Sequence, residues 1–254
     1  MAAAAVSITD TGASKAQVDT VNGFTTGTVT PTSVSEDRAD LATLEGTAGI
    51  SLATTDITVT DQVSKAQADT INGYTTGQVV LNSVSDTVVN LAAIEALDDG
   101  AMKFADAGVI SVSDAATKAN ADTINNYVTG QVTLTSVADT VANITLIDAL
   151  TTSEVTMAAA AVSITDTGAT KANVDAVNAF TTGTVTPTTV TGTVSAITAL
   201  QATSGVSLAT ADITITDAAT LSQANTLNNY TTGTVTLNAI NDTVANIEFV
   251  DILY

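Results

Sequence analysis

The chain has 254 residues, with 26 acidic side chains against six basic ones, a net charge of -20, and neither Cys nor His. That charge argues against nucleic acid or an anionic membrane surface as a partner, since both need clustered Lys and Arg. The missing Cys and His remove thiol nucleophiles, disulfides, zinc and haem ligation and the usual proton carrier near neutral pH, and 3% aromatics without Trp argue against an aromatic-lined pocket.

With 45% hydrophobic residues and 51 threonines, the chain is too apolar for disorder and rich in strand-favouring residues. Self-similarity sets the organisation. Residues 1–13, MAAAAVSITDTGA, recur unchanged at 157–169, a super-repeat offset of 156. Thr-Gly glycines stand at Gly27, Gly77, Gly130, Gly183 and Gly233, spaced 50, 53, 53 and 50 residues apart. Five copies of a 50–53-residue repeat therefore fill residues 1–254 as a single array, and each splits into two halves of about 25 residues.

In chain order, each repeat opens on an alternating segment ending in Asp: VSITD at 6–10, ITVTD at 57–61, ISVSD at 110–114, VSITD at 162–166 and ITITD at 213–217. The alternation predicts a strand with one buried and one hydroxyl-rich face. A helix is predicted next, as at 14–22 and 64–72, where Ser14 and Ser64 stand three residues ahead of Gln17 and Gln67 in capping-box spacing. Asn-Gly at 22–23 and 72–73 predicts a left-handed C-cap. After the Thr-Gly turn comes a second strand (TVT, QVVL, QVTL, TVT or TVTL), then a second helical segment such as 86–96 or 139–149. In the former, Val88, Leu91, Ile94 and Leu97 make a stripe for packing on a sheet. The stretch DDGAMKFADAG at 98–108 interrupts the repeat, and its Lys103 and Phe104 read as surface loop in preference to a Schiff-base site.

Strand–helix alternation at this interval predicts an α/β solenoid, a right-handed stack of about ten strand–helix coils with a parallel sheet. A parallel β-helix is the alternative. The Ala-rich, capped segments at 14–22 and 64–72 count against it. Leucine-rich repeats share the layout but not the Leu/Asn signature.

Stacking would line up equivalent residues. Phe24, Tyr74, Tyr127, Phe180 and Tyr230 read as packing plugs, with a carbohydrate-binding strip as the alternative. Asp10, Asp61, Asp114, Asp166 and Asp217 form a second rank, echoed by Asp86, Asp139 and Asp242, with Glu36 and Gly192 breaking the echo. Standing just ahead of helices, these carboxylates read as helix caps; shared structural calcium is the alternative, although GGxGxD and EF-hand loops are missing. Thr-x-Thr pairs (Thr28/Thr30, Thr58/Thr60, Thr184/Thr186, Thr214/Thr216, Thr234/Thr236) raise ice binding, against which stand Gln78, Val80, Ser111, Ser113 and Gln131. No catalytic, cofactor-binding or metal residue is assigned. Catalytic groups are singular, whereas nearly every Asp here has a counterpart one repeat away, and no GxSxG, phosphate loop or metal-ligand cluster occurs. The chain reads as non-enzymatic.

Repeats such as ITVTDQVSKAQADTINGYTTGQVVLNSVSDTVVNLAAIEAL at 57–97 resemble the acidic Thr/Ala/Asp-rich tandem-repeat arrays of giant secreted surface and adhesin proteins of cyanobacteria and other aquatic bacteria. The likeness covers the whole chain and rests on repeat texture. It implies an extracellular or cell-surface location, a structural or adhesive role, and export without a cleaved N-terminal signal. Met1 falls where Met157 stands, and NIEFVDILY at 246–254 aligns with NITLIDALT at 143–151, so both ends share one phase of the repeat. The expectation is a window cut from a longer array, or ends that cap each other between subunits. On the second view the partner is the chain itself: the strand near Val6–Asp10 docks on the coil near Thr234–Leu237, giving a head-to-tail homopolymer in a filament or surface layer. An adhesin stalk or spacer, a calcium-stabilised surface-layer component and an ice-binding solenoid are the alternatives. No apolar run approaches 18 residues, so no membrane insertion is expected.

Overall fold

The computed structural model describes residues 3–97, 100–150, 154–244 and 246. Strands and helices alternate along the chain and the strands pair in parallel, which makes it an α/β protein. It divides into two compact units, Met1–Asp114 with Asn120–Thr133, and Ala115–Ala119 with Leu134–Tyr254. The segment 247–254, and with it the aligned terminal repeat, lies outside the described residues.

The first unit begins with β1 (Val6–Ile8), α1 (Lys15–Asn22), β2 (Val29–Pro31), β3 (Ser33–Glu36) and α2 (Arg38–Glu45). It continues through β4 (Asp56–Val63), α3 (Lys65–Asn72), β5 (Val79–Asp86), α4 (Val88–Glu95), β6 (Met102–Ala116, up to Asp114) and α5 (Lys118–Asn125, from Asn120); residues 115–119 belong to the second unit. Strands β3, β4, β5 and β6 pair in that order, so that Val34, Ile57, Val79 and Met102 stand in one register column, and Val59, Leu81 and Phe104 in the next. All seven are buried. Period-2 alternation puts the apolar residues of each strand on one face, and parallel pairing in register turns them into continuous columns whose members stand about 4.8 Å apart.

The second unit holds β7 (Val132–Asp139), α6 (Val141–Ala149), β8 (Val155–Thr156), β9 (Ala161–Ile164), α7 (Lys171–Asn178) and β10 (Val185–Pro187). Then come β11 (Thr189–Gly192), α8 (Val194–Gln201), β12 (Asp212–Ala219), α9 (Leu221–Asn228) and β13 (Val235–Ile240). Here β9 lies between β7 and β10, and β12 between β11 and β13.

The helices are eight or nine residues long and most bury two residues three positions apart, such as Leu41 and Leu44, Ala68 and Ile71, Leu91 and Ile94, or Ile197 and Leu200. In α4 the stripe is shorter than its sequence suggests, because the helix ends at Glu95 and leaves Leu97 exposed. Ser14, Ser64, Thr170 and Thr220 each close a full capping box. The Asn-Gly expectation is overturned: Gly23 and Gly73 keep right-handed helical angles, φ -64° and -68°. Asn22 reaches forward instead, its Nδ2 donating to the Ala48 carbonyl at 3.2 Å, and Asn178 does the same to Ser204 at 3.1 Å. Gly49 and Gly205, just beyond those carbonyls, are left-handed, as are Gly12 and Gly168.

The surface-loop reading of Lys103 and Phe104 also fails. Both lie in β6, opposite Val80 and Leu81, and Phe104 is buried. Residues 105–108 take up the register shift between the two stretches of β6 that pair with β5. Asp98 and Asp99 lie outside the described residues.

The Thr-Thr-Gly turn has a steric origin. Thr75 Oγ1 donates to the Thr55 carbonyl at 2.7 Å and accepts the Gly77 N–H at 2.8 Å. Thr25, Thr181 and Thr231 repeat this tie to Ala4, Ala160 and Ala211. The turn thereby presses so closely on the preceding backbone that a Cβ on Gly77 would lie 2.5 Å from the Thr55 oxygen. At Gly130 and Gly183 the corresponding gap is 2.1 Å. Gly77→Ala should therefore cost about 1–3 kcal/mol by overpacking. Chemical denaturation checks this against Gly100→Ala, where a Cβ meets nothing within 4 Å and stability should not change.

Candidate functional site

An eight-residue helix leaves its first amides without partners inside the helix, and its N-terminus carries a partial positive charge. The local cap serves the third helical position: Ser14 Oγ accepts from Gln17 N–H, and Asp37 Oδ1 from Asp40 N–H. The first position remains. Its partner is a carboxylate from the following strand, 21 to 26 residues on. Glu36 accepts the Lys15 N–H at 2.5 Å, Asp61 that of Arg38 at 2.9 Å, Asp86 that of Lys65 at 2.7 Å and Asp114 that of Val88 at 2.9 Å. In the second unit Asp139 accepts from Lys118 at 2.8 Å, Asp166 from Val141 at 2.5 Å, Asp217 from Val194 at 2.8 Å and Asp242 from Leu221 at 2.8 Å.

Helix capping is thus what the acidic ranks do, with one correction. Asp61, Asp114, Asp166 and Asp217 cap the helix before them in the chain, not the one after. A register shift in β4 and in β12 falls at Asp61 and Asp217 and separates each from the ladder. Asp86, Asp139 and Asp242 face both ways. Asp139 Oδ2 takes the Lys118 amide behind it, while Oδ1 accepts from Thr140 N–H and Asn143 Nδ2, each at 2.8 Å, in the helix ahead. The Asp-Thr-x-x-Asn spacing at 86–90, 139–143 and 242–246 carries this double role, and the sequence reading passed over its asparagines.

Two positions lack the bond. Gly192 stands where α7 would receive its carboxylate, and the Lys171 N–H has no acceptor among the described residues. Asp10, the counterpart of Asp166, accepts no hydrogen bond among the described residues.

The other ranks are placed as follows. Tyr74, Tyr127, Phe180 and Tyr230 are half-buried, whereas Phe24 is exposed. Tyr127 stacks on Phe104 with ring centroids 5.9 Å apart and 7° between planes. Thr191, Thr214 and Thr236 align across three strands along a shallow groove of about 570 Å³, whereas Thr58 meets Val80, and Thr30 and Thr186 meet serines. Among the described residues no group of three or more His, Cys, Asp or Glu is arranged to hold a metal ion, and no helix is long and apolar enough to cross a membrane.

Burial pushes the Asp86 carboxyl up, but hydrogen bonds from Asn90 Nδ2 and the Lys65 and Thr87 amides outweigh it and hold the group below its ordinary value of 3.8. Asp139 is lowered in the same way, burial being outweighed by the Lys118 amide, Asn143 and the Thr140 amide. A carboxyl lowered by folding stabilises fully above its unfolded pKa, and the contribution is lost as pH falls through the folded value. Stability should therefore drop below about pH 4, and less steeply in Asp86→Ala/Asp139→Ala, as thermal melts between pH 2 and 6 would read. At pH 7 Asp139→Ala should cost about 1 kcal/mol, the usual worth of a capping side chain. Gly192→Asp should instead raise stability by about 0.5–1 kcal/mol by supplying the missing cap to α7. The site has room, since the atoms nearest to a Cβ there, on Ala196 and Ile197, lie at 3.4–3.9 Å, ordinary van der Waals distances.

Compared with protein-family models, curated proteins and solved structures, the chain matches none.

Proposed function

We propose that the chain is a structural repeat protein of an extracellular bacterial filament or cell-surface layer, built as a right-handed solenoid of about ten strand–helix coils and joined head to tail. The observation that carries this reading is the carboxylate bond from each strand to the helix before it, repeated at eight helices. A repeat that leaves a helix amide for its successor to satisfy is suited to indefinite extension, because every repeat both offers and needs the same contact. The chemistry is repeated along the chain, which suits a load-bearing array better than a catalyst.

The surface location rests on the repeat texture that the chain shares with secreted arrays, and the net charge of -20 fits a fibre that stays hydrated and resists lateral clumping. Sedimentation and negative-stain microscopy across a concentration series provide the test. Unbranched filaments whose length grows with concentration, unchanged by EDTA, are expected. Monomers at every concentration would refute assembly and leave a spacer within a longer chain. Filaments lost on chelation would favour the calcium-stabilised layer.

A further inference from the structure

We propose that Asn72 is a modification site: it deamidates spontaneously through a cyclic imide with Gly73, whereas Asn22, in a matching local sequence, is shielded by a bond to the next half of its repeat. The Gly73 nitrogen, having lost its proton to solvent base, attacks Asn72 Cγ. The N–Cγ bond forms, the Cγ–Nδ2 bond breaks and ammonia leaves. Water then opens the imide at either carbonyl, leaving aspartate or isoaspartate in place of the amide. A following glycine favours ring closure, because no Cβ crowds the attack and its backbone turns freely.

Helices α1, α3, α5, α7 and α9 each end on asparagine, at Asn22, Asn72, Asn125, Asn178 and Asn228. Glycine follows Asn22 and Asn72, whereas Asn126, Ala179 and Asn229 follow the others. The two Asn-Gly sites form a matched pair, Val21-Asn22-Gly23-Phe24 and Ile71-Asn72-Gly73-Tyr74, with both asparagines half-buried and both glycines exposed. In each, the glycine N–H is held by its own helix, on the Asp19 carbonyl at 3.0 Å and on the Asp69 carbonyl at 3.0 Å. The last helical turn must therefore open before the nitrogen can attack. The side chains differ. Asn22 Nδ2 donates to the Ala48 carbonyl at 3.2 Å, and its Oδ1 packs so close to Gly49 that a Cβ there would lie 2.7 Å away. Asn72 makes no side-chain hydrogen bond among the described residues, so fraying of its turn leaves the carboxamide free to meet the Gly73 nitrogen. Isoaspartate routes the main chain through the former side chain and adds a methylene between α3 and its Thr-Thr-Gly turn. The contact it displaces is the bond from Thr75 Oγ1 to the Thr55 carbonyl, 2.7 Å long. The site does not depend on assembly or on location.

The test is incubation of the folded full-length chain at mildly alkaline pH, followed by peptide mapping with mass spectrometry. Asn72 should convert about fivefold faster than Asn22, the worth of the one hydrogen bond that Asn22 has to break. In denaturant the two sites should convert equally, since their neighbours match. Gly73→Ala, a residue that the fold accepts at Ala179, should slow conversion at position 72 markedly and leave Asn22 as before. Chains carrying isoaspartate should melt below Asn72→Asp, which has the new charge without the added methylene. Equal or faster conversion at Asn22 in the folded chain would overturn the site. So would a difference that persists in denaturant, or no conversion of folded Asn72 while the denatured chain converts. Melting of the isoaspartate form at or above Asn72→Asp would overturn the displaced contact.

Discussion

The first amide of each helix cannot be satisfied by that helix or by its N-cap, and much of the local structure answers this constraint. Helices of eight residues are too short to persist alone in water, since isolated helices below about 12 residues are marginal. They therefore depend on tertiary contacts: one or two buried residues toward the sheet and, at eight of them, a carboxylate from one repeat half further along the chain. The carboxylate lies against the positive end of the helix, where charge and hydrogen bonding act together. The strand that supplies it is placed by its own pairing, so helix formation and strand register reinforce each other.

The other ties run between the same neighbours. A threonine hydroxyl in each Thr-Thr-Gly turn donates backward to a carbonyl, Asn22 and Asn178 donate forward, and the turn glycines allow the backbones to approach. These give a structural reason for Thr and Gly to recur at fixed intervals. They also explain part of the charge, because at least eight acidic side chains are committed to helix ends. By contrast, Lys15–Asp19 and Lys65–Asp69 are ordinary helix-surface pairs, partly exposed and of small energetic weight.

Period-2 and capping patterns made the strands, the helices and the parallel α/β class legible in the sequence, because both arise from residues adjacent along the chain. The capping boxes at Ser14 and Ser64 are the plainest case. What could not be read was any contact made one repeat away. Asp61 precedes α3 in sequence, so local reasoning assigns it there, whereas β4 delivers it to α2. Asn22 followed by glycine resembles a local terminator, but its side chain serves a carbonyl 26 residues on. Phe104 looked like an interruption because its repeat carries extra residues, and only the pairing with Leu81 reveals a strand. The aromatic and threonine ranks lose regularity for a related reason: sequence equivalence does not ensure equal cover, as Phe24 and Phe180 illustrate.

Residue-resolved hydrogen exchange at the first helical amides tests the carboxylate link most directly, since the chain contains its own control. The account predicts that the Lys65, Val88, Lys118 and Val141 amides, each bonded to an Asp, exchange markedly more slowly than the Lys171 amide, whose repeat has Gly192 in place of the carboxylate. Equal exchange at all five would contradict it.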